Sequence, residues 1–190
     1  MARTGERKAQ ILQTLAAMLE DPKGERITTA LLAARLEVSE AALYRHFSSK
    51  AQMFEGLIEF IEQTVFGLVN KIQAEEIDPM KQVEATIATL LGFAQKNPGM
   101  TRVLTGDALV NEDERLQARV NQLLDRLEAS LRQSARLAVT AGTFPADWDV
   151  NAYANAVIAF VVGRWHQFAK SGFRRPPMDG WPQQWRVFAA

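Results

Sequence analysis

Hydrophobic residues recur at intervals of three and four along almost the whole chain, which is the spacing of one face of an α-helix. The first helix contains Leu15 and ends at a predicted break over residues 21–24. Two short helices follow at about 28–35 and 39–47, and each begins at a hydroxyl residue suited to N-capping. Because only three residues separate these two, the pattern predicts a helix-turn-helix.

The rest of the chain is also predicted to be helical, and no segment shows the alternation of a strand. The predicted ranges are about 49–73, 79–96, 101–105, 112–140, 147–170 and 181–190. In the first of these, the apolar stripe is predicted to continue through Leu68 and Ile72. An all-α fold is therefore expected.

The helix at 147–170 is apolar almost all round, which is typical of a helix that is buried on two sides. We expect one side to face the core of its own domain and the other to face a second copy of the chain. The predicted dimer interface consists of Val157, Val161, Trp165 and Phe168.

Composition excludes several classes of function. The 190 residues include no cysteine and two histidines, so disulfides, Cys-ligated zinc and thiol catalysis are ruled out. No Ser/His/Asp set and no glycine-rich phosphate loop occurs, so we expect neither an enzyme nor a bound cofactor. The acidic run Glu112–Glu114 fits a helix start better than a metal site. The polar N-terminus and the short apolar runs favour a cytoplasmic protein without a membrane span.

Net charge alone does not identify a partner, since 22 basic residues balance 22 acidic ones. The placement of particular residues is more informative. In the second short helix, Glu40, Ala41, Tyr44 and Arg45 are expected on the open side. Alanines there allow close approach to a groove, and a methyl group can contact thymine.

Lys50 is predicted in the first turn of the next helix, where the helix dipole disfavours a cation. The placement is explained if a phosphate binds at this helix start and pairs with Lys50. From spacing alone, however, a DNA-binding head and a structural helical hairpin both remain open.

The residues from Thr28 to Lys50 resemble the N-terminal domain of TetR-type regulators. The matching motif is Thr28-Thr29, Val38-Ser39, Leu43-Tyr44-Arg45-His46-Phe47 and Ser49-Lys50. The resemblance implies that the Thr, Tyr, His and Lys positions contact phosphates and that the start of the recognition helix reads bases. It thus implies a DNA interface of Thr28, Thr29, Ser39, Glu40, Ala41, Tyr44, Arg45, His46 and Lys50.

A second segment, LLGFAQKNPGMTRVLTGDAL, is similar to the branch of this family that blocks cell division over the chromosome. This resemblance implies a DNA-binding domain at 1–50 and a helical dimerisation and partner-binding domain at 51–190. It also implies a nucleoid-associated homodimer that binds palindromic double-stranded DNA, contacts the C-terminal tail of FtsZ and antagonises FtsZ polymers. The alternatives are a repressor released from DNA by a small molecule and a helical scaffold without a DNA role.

Phe60 is predicted to lie off the buried stripe of its helix, at about 120° from it. A neighbouring helix or a bound partner could cover such an aromatic side chain. The family resemblance favours the partner, and it implies that Phe60, Gly92, Lys96 and Asn97 contact the FtsZ tail.

Two features depart from the family pattern. Glu37 stands where many members have glycine, and a left-handed conformation there would cost about 1–2 kcal/mol. The basic arm before the first helix is short, with Arg3, Arg7 and Lys8, which puts minor-groove contacts in doubt.

Overall fold

The computed structural model describes residues 4–21 and 27–189. These residues form α-helices and one 3₁₀ turn without any strand, so the all-α prediction is confirmed. The helices are α1 Thr4–Met18, α2 Thr29–Arg35, α3 Glu40–Tyr44, α4 Lys50–Glu75, α5 Pro79–Lys96, α6 Pro98–Leu104, α7 Glu114–Thr140, α8 Val150–Lys170 and α9 Trp181–Phe188. The 3₁₀ turn is Asp107–Leu109. Most of the predicted break over 21–24, together with Arg3, lies outside the described residues.

Helices α2 and α3 form the expected pair, and both are slightly shorter than predicted. Thr28 is the N-cap of α2 and accepts a hydrogen bond from the Leu31 amide at 3.1 Å. Ser39 occupies the N-cap position of α3, but its side chain makes no capping bond. Helix α3 ends at Tyr44 because the amides of His46 and Phe47 turn back to the Leu43 carbonyl.

Carboxylate caps shift the starts of the two longest C-terminal helices relative to the prediction. Asp113 accepts from the Arg115 amide at 3.0 Å, so α7 starts at Glu114. Asp149 accepts from the amides of Asn151 and Ala152, so α8 starts at Val150. Side-chain oxygens at these positions satisfy amides that no helical carbonyl can reach.

The N-terminal helices pack onto the rest of the chain through α4 and α6. A Cβ atom built on Gly99 would lie 2.0 Å from the carbonyl oxygen of Ala16, so this close contact between α6 and α1 requires glycine. Arg102 of α6 also donates to the carbonyls of Leu19 and Asp21, at 3.2 and 3.1 Å. These contacts fix the position of α1.

The core of the second domain is built around α5, which contacts α4, α7 and α8. Trp165 of α8 is 1% exposed, and its indole N–H donates to the Leu90 carbonyl at 3.1 Å. The buried polar pair Ser134 and Gln82 is hydrogen-bonded at 3.0 Å. The packing of α8 and α7 against α5 therefore pairs each of these buried polar groups.

The prediction for the end of the α4 stripe is wrong at one position. Leu68 is 43% exposed, whereas its neighbour Val69 is fully buried. Leu68 and Val69 lie three and four residues after the buried Val65, and both spacings are typical of one helix face. Spacing alone therefore does not show which of the two side chains is buried. Among the described helices, none combines the length and apolarity that a membrane span needs.

Candidate nucleic-acid interface and adjoining groove

Three predicted DNA-contacting side chains form a network across the outer face of α2 and α3. The Thr29 hydroxyl donates to Glu40 Oε2 at 2.6 Å, and the Tyr44 hydroxyl lies 3.4 Å from Thr29 Oγ1. Tyr44 is 46% exposed although it is a large aromatic residue. The network leaves Glu40 Oε1 without a hydrogen bond to any described residue, so one carboxylate oxygen is available to a ligand.

The other predicted positions surround this network. Ala41 and Arg45 are exposed on α3 beside Glu40 and Tyr44, and Ser39 is exposed at the start of the helix. Thr28 is engaged in capping α2. His46 is half-buried, and its Nδ1 atom is shielded without a hydrogen-bond partner in the described chain, which leaves Nε2 as the atom that could reach a phosphate.

Lys50 begins α4, as expected, but its ammonium group is already paired. It forms an ion pair with Glu112, which lies in the segment before α7, and it lies 5.6 Å from the centre of the Phe54 ring. The exposed fractions of the Lys50 and Glu112 side chains are 23% and 14%. The ion pair was missed at the sequence level, because 62 residues separate its members.

The acidic run at 112–114 divides into three separate roles. Glu112 pairs with Lys50, Asp113 caps α7, and Glu114 is exposed in the first turn. Hydrogen bonds from Arg115 lower the pKa of the Asp113 carboxyl. No cluster of three metal-ligating residues occurs in the described ranges.

Glu37 adopts the left-handed conformation that its place in the turn requires, with φ = 55°. The Val38 amide then bonds to the Ala33 carbonyl at 3.0 Å, which closes the end of α2. The head therefore tolerates a strained glutamate where many family members have glycine.

A groove of about 570 Å³ lies beside the head, between α1 and α4. Phe60, which is 48% exposed, lines it together with Asn97. Leu12 and Met100 also line it, while Lys8 and Glu59 supply charge. Sequence reasoning missed Leu12 and Met100, because their helices meet α4 only in the folded chain.

The remaining predicted partner residues lie on the open side of α5. A Cβ atom built on Gly92 would meet nothing within 4 Å, and Lys96 is exposed one turn later. Residues four apart share a helix face, so Gly92 and Lys96 form one surface. The Asn97 amide donates to the Phe93 carbonyl at 2.8 Å, which fixes its orientation at the end of α5.

The prediction for the dimer interface is corrected in its residues. The exposed fractions of Val157, Val161, Trp165 and Phe168 are 0%, 0%, 1% and 3% within a single chain. Side chains buried in their own protomer have no surface left for a second copy. The opposite face of α8 is exposed and carries the small residues Ala152, Ala156, Ala159 and Gly163.

Comparison with known proteins assigns both parts of the chain. Residues 23–57 match the bacterial regulatory proteins of the tetR family, and residues 78–190 match the SlmA-like, tetracyclin repressor-like C-terminal domain. The nucleoid occlusion factor SlmA of a Marinomonas species is 50% identical over 185 residues, which is 97% of this chain and 93% of that protein.

A second relative supports the same assignment, and a solved structure shows the same fold. The nucleoid occlusion factor SlmA of Alteromonas mediterranea is 50% identical over 96% of this chain and 93% of its own length. A TetR transcription regulator from Haloarcula marismortui has the same fold, with a TM-score of 0.81, 16% identity and 97% coverage of both chains. The chain therefore belongs to the TetR family and, within it, to the SlmA-like proteins.

Proposed function

We propose that this protein is a nucleoid occlusion factor. It binds specific palindromic DNA as a homodimer, and in that state it contacts the C-terminal tail of FtsZ and antagonises FtsZ polymers. The observation that carries the proposal is that 50% identity to proteins named nucleoid occlusion factor SlmA extends over both domains of the chain. Residues 1–50 form the DNA-binding head, and residues 51–190 form the dimerisation and partner-binding domain.

The head is suited to DNA because its outer face combines hydroxyl groups, a cation and small side chains. Thr28, Tyr44 and His46 donate to phosphate oxygens, which fixes the register of the head on the duplex. Thr29 lies beside them, with its hydroxyl proton engaged by Glu40. Ser39, Glu40, Ala41 and Arg45 lie at or on the recognition helix α3 and face the base edges. Lys50 neutralises a phosphate at the start of α4.

Within this face, Glu40 is the residue most suited to reading a base. Thr29 holds one of its carboxylate oxygens, at 2.6 Å, so the side chain is oriented before DNA arrives. A carboxylate accepts a hydrogen bond from the cytosine amino group in the major groove, and it is repelled by phosphates. We therefore assign Glu40 to a cytosine contact.

The dimer forms through the outer face of α8, together with neighbouring surface of α7. Helix α3 is five residues long and can read only a few base pairs, so two heads are needed for a specific site. Small exposed residues on α8 allow the same helix of a second copy to approach closely. Two heads held in this way meet half-sites about 34 Å apart or at a multiple of that distance.

The FtsZ tail binds at the groove beside α4. Phe60 and Asn97 line the groove, and Gly92 and Lys96 extend the contact surface along α5. An exposed aromatic beside an apolar floor suits an apolar side chain of the peptide, while Lys96 suits an acidic one. The groove also contains Lys8, which stands 5.5 Å from the Phe47 ring of the head, so the two binding surfaces are adjacent.

The experiment that tests the function is sedimentation of FtsZ polymers with the purified protein. A cognate duplex is first selected from a random DNA pool, and a scrambled duplex of equal length is the control. We expect polymer loss that depends on the cognate duplex and is absent with Phe60→Ala. The variant Ile77→Ala is the control, because Ile77 is an exposed apolar residue that does not line the groove.

The same experiment separates the alternative of a ligand-released repressor. In that case the cognate duplex binds, but FtsZ sediments equally with and without it. Release of DNA by a small molecule would then identify the protein as a repressor, and absence of any selected duplex would contradict both functions.

A further inference from the structure

The contact between Lys50 and Glu112 joins the DNA-binding face to the second domain. Lys50 stands at the N-terminus of α4, on the edge of the head, and Glu112 precedes α7. The N-terminal end of a helix carries partial positive charge, so the ammonium group needs an anion there. In the described chain Glu112 supplies that anion, and so it occupies the role that a DNA phosphate would take.

The surroundings of this ion pair make it exchangeable. Both side chains keep some exposure, 23% and 14%, so solvent and a phosphate can reach them. A cleft of about 230 Å³ opens beside the pair, and Phe54, Arg102 and Glu112 are among its lining residues. Arg102 also lines this cleft, but it donates to the backbone carbonyls of Leu19 and Asp21. Unlike Lys50, it is therefore held by backbone groups rather than by a carboxylate side chain.

The segment that carries Glu112 has few other anchors. Leu109 is buried, but Val110 is 67% exposed and Asn111 has a φ of 65°. Farther along, Arg119 of α7 donates to Glu62 of α4 at 2.7 Å, which fixes α7 to α4 beyond its first turn. Within the segment, the Glu112 amide donates to the Leu109 carbonyl at 3.0 Å, and Asp113 is held by α7, whose Arg115 amide it caps. Loss of the Lys50 contact would therefore free residues 110–112 while Asp113 and the body of α7 stay in place.

We propose that Glu112 competes with a DNA phosphate for Lys50, so that DNA binding detaches residues 110–112 from the head. Glu112 is then a positioning residue that acts on DNA through Lys50, and it lowers affinity in the free protein. The segment before α7 reports DNA occupancy to the second domain. This inference rests on the proposed DNA-binding function and on Lys50 as a phosphate contact.

The test uses the full-length protein and its selected cognate duplex. Glu112→Gln removes the competing charge, and Glu114→Gln is the matched control, because it makes the same charge change on an exposed residue two positions away. We expect Glu112→Gln to bind DNA about three- to fivefold more tightly than Glu114→Gln. Both variants should keep the melting temperature of the wild type within a few degrees, since Glu112→Gln preserves shape.

A second measurement follows the segment itself by amide hydrogen exchange. In the wild type, the cognate duplex should speed exchange of the Glu112 amide, which donates to the Leu109 carbonyl at 3.0 Å. In Glu112→Gln, exchange there should already be fast, and DNA should change it little. The exchange readout distinguishes competition from a purely structural ion pair, which would show no dependence on DNA.

A third variant separates failure of this inference from failure of the proposed function. If Lys50→Gln binds DNA as tightly as wild type, Lys50 is not a phosphate contact. That result contradicts both the proposed role of Lys50 in the DNA interface and the competition by Glu112. If Lys50→Gln weakens binding, but Glu112→Gln binds DNA as tightly as Glu114→Gln and DNA leaves exchange of the Glu112 amide unchanged in the wild type, the competition is refuted while DNA binding stands.

Discussion

Helices α3 and α8 use their surfaces in opposite ways. Of the five residues of α3, only Leu43 is buried, and the exposed ones are polar, aromatic or small. Helix α8 has 21 residues and places large apolar side chains such as Trp165 in the core of its own protomer, while small residues face solvent. Polar and aromatic side chains on a short exposed helix therefore point to an external partner, whereas an apolar stripe points first to the core.

The strongest test of this contrast compares two substitutions on α8. Val161→Asp places an unpaired charge in the core and should destabilise the fold by about 3–5 kcal/mol. Ala159→Glu changes an exposed residue on the opposite face, and we expect a folded monomer with a melting temperature near that of wild type. Thermal unfolding and light scattering measure the two effects.

The dimer assignment is contradicted if Ala159→Glu remains a dimer. Ala74→Glu, the same change at an exposed position of α4, is the charge control. If Val161→Asp is instead folded and soluble but monomeric, the dimer interface includes Val161 and its buried neighbours.

The difference between the two helices also explains which features could be predicted from sequence. The helix order follows from local spacing, and the exposed face of α3 follows from residue type. The burial of Trp165 depends on Leu90, and the pairing of Lys50 depends on Glu112, so both arise from contacts between distant segments. An apolar pattern on both sides of α8 did not indicate which side meets the protomer's own core. The groove beside Phe60 likewise needed the packing of α1 on α4.

The next prediction sharpens the role of α3 by separating base reading from phosphate binding. Glu40→Gln should change base preference at one position of each half-site, with a difference of about 1–3 kcal/mol between the old and new bases. Tyr44→Phe should weaken all duplexes alike by about 0.5–1.5 kcal/mol, because it removes one phosphate hydrogen bond. Competition binding on a panel of single-base variants measures both. Uniform weakening by Glu40→Gln would contradict the assignment of Glu40 to a cytosine contact.

A smaller effect is expected at the groove, which resembles α3 in exposing an aromatic residue. Phe60→Ala should weaken binding of a labelled FtsZ tail peptide by about 1–2 kcal/mol, because the peptide loses an apolar contact. Ile77→Ala removes an exposed apolar residue outside the groove, between α4 and α5, so it should leave peptide affinity unchanged. Fluorescence anisotropy measures affinity, and DNA binding by both variants checks that the head is intact. Equal losses in the two variants would show that the groove is not the peptide site.

The smallest predicted effect concerns the turn that sets α3 against α2. Glu37 has φ = 55°, a conformation that costs a non-glycine residue about 1–2 kcal/mol, and its side chain is exposed. Glu37→Gly should therefore stabilise the protein by about 0.5–1 kcal/mol, after the added flexibility of the unfolded chain is subtracted. The reciprocal control is Gly142→Ala, because Gly142 has φ = 75° and a Cβ atom there would meet nothing within 4 Å. That variant should lose about 1 kcal/mol through backbone strain alone. Chemical denaturation measures both changes, and a destabilised Glu37→Gly protein would mean that the glutamate makes a favourable contribution that outweighs the strain of its turn.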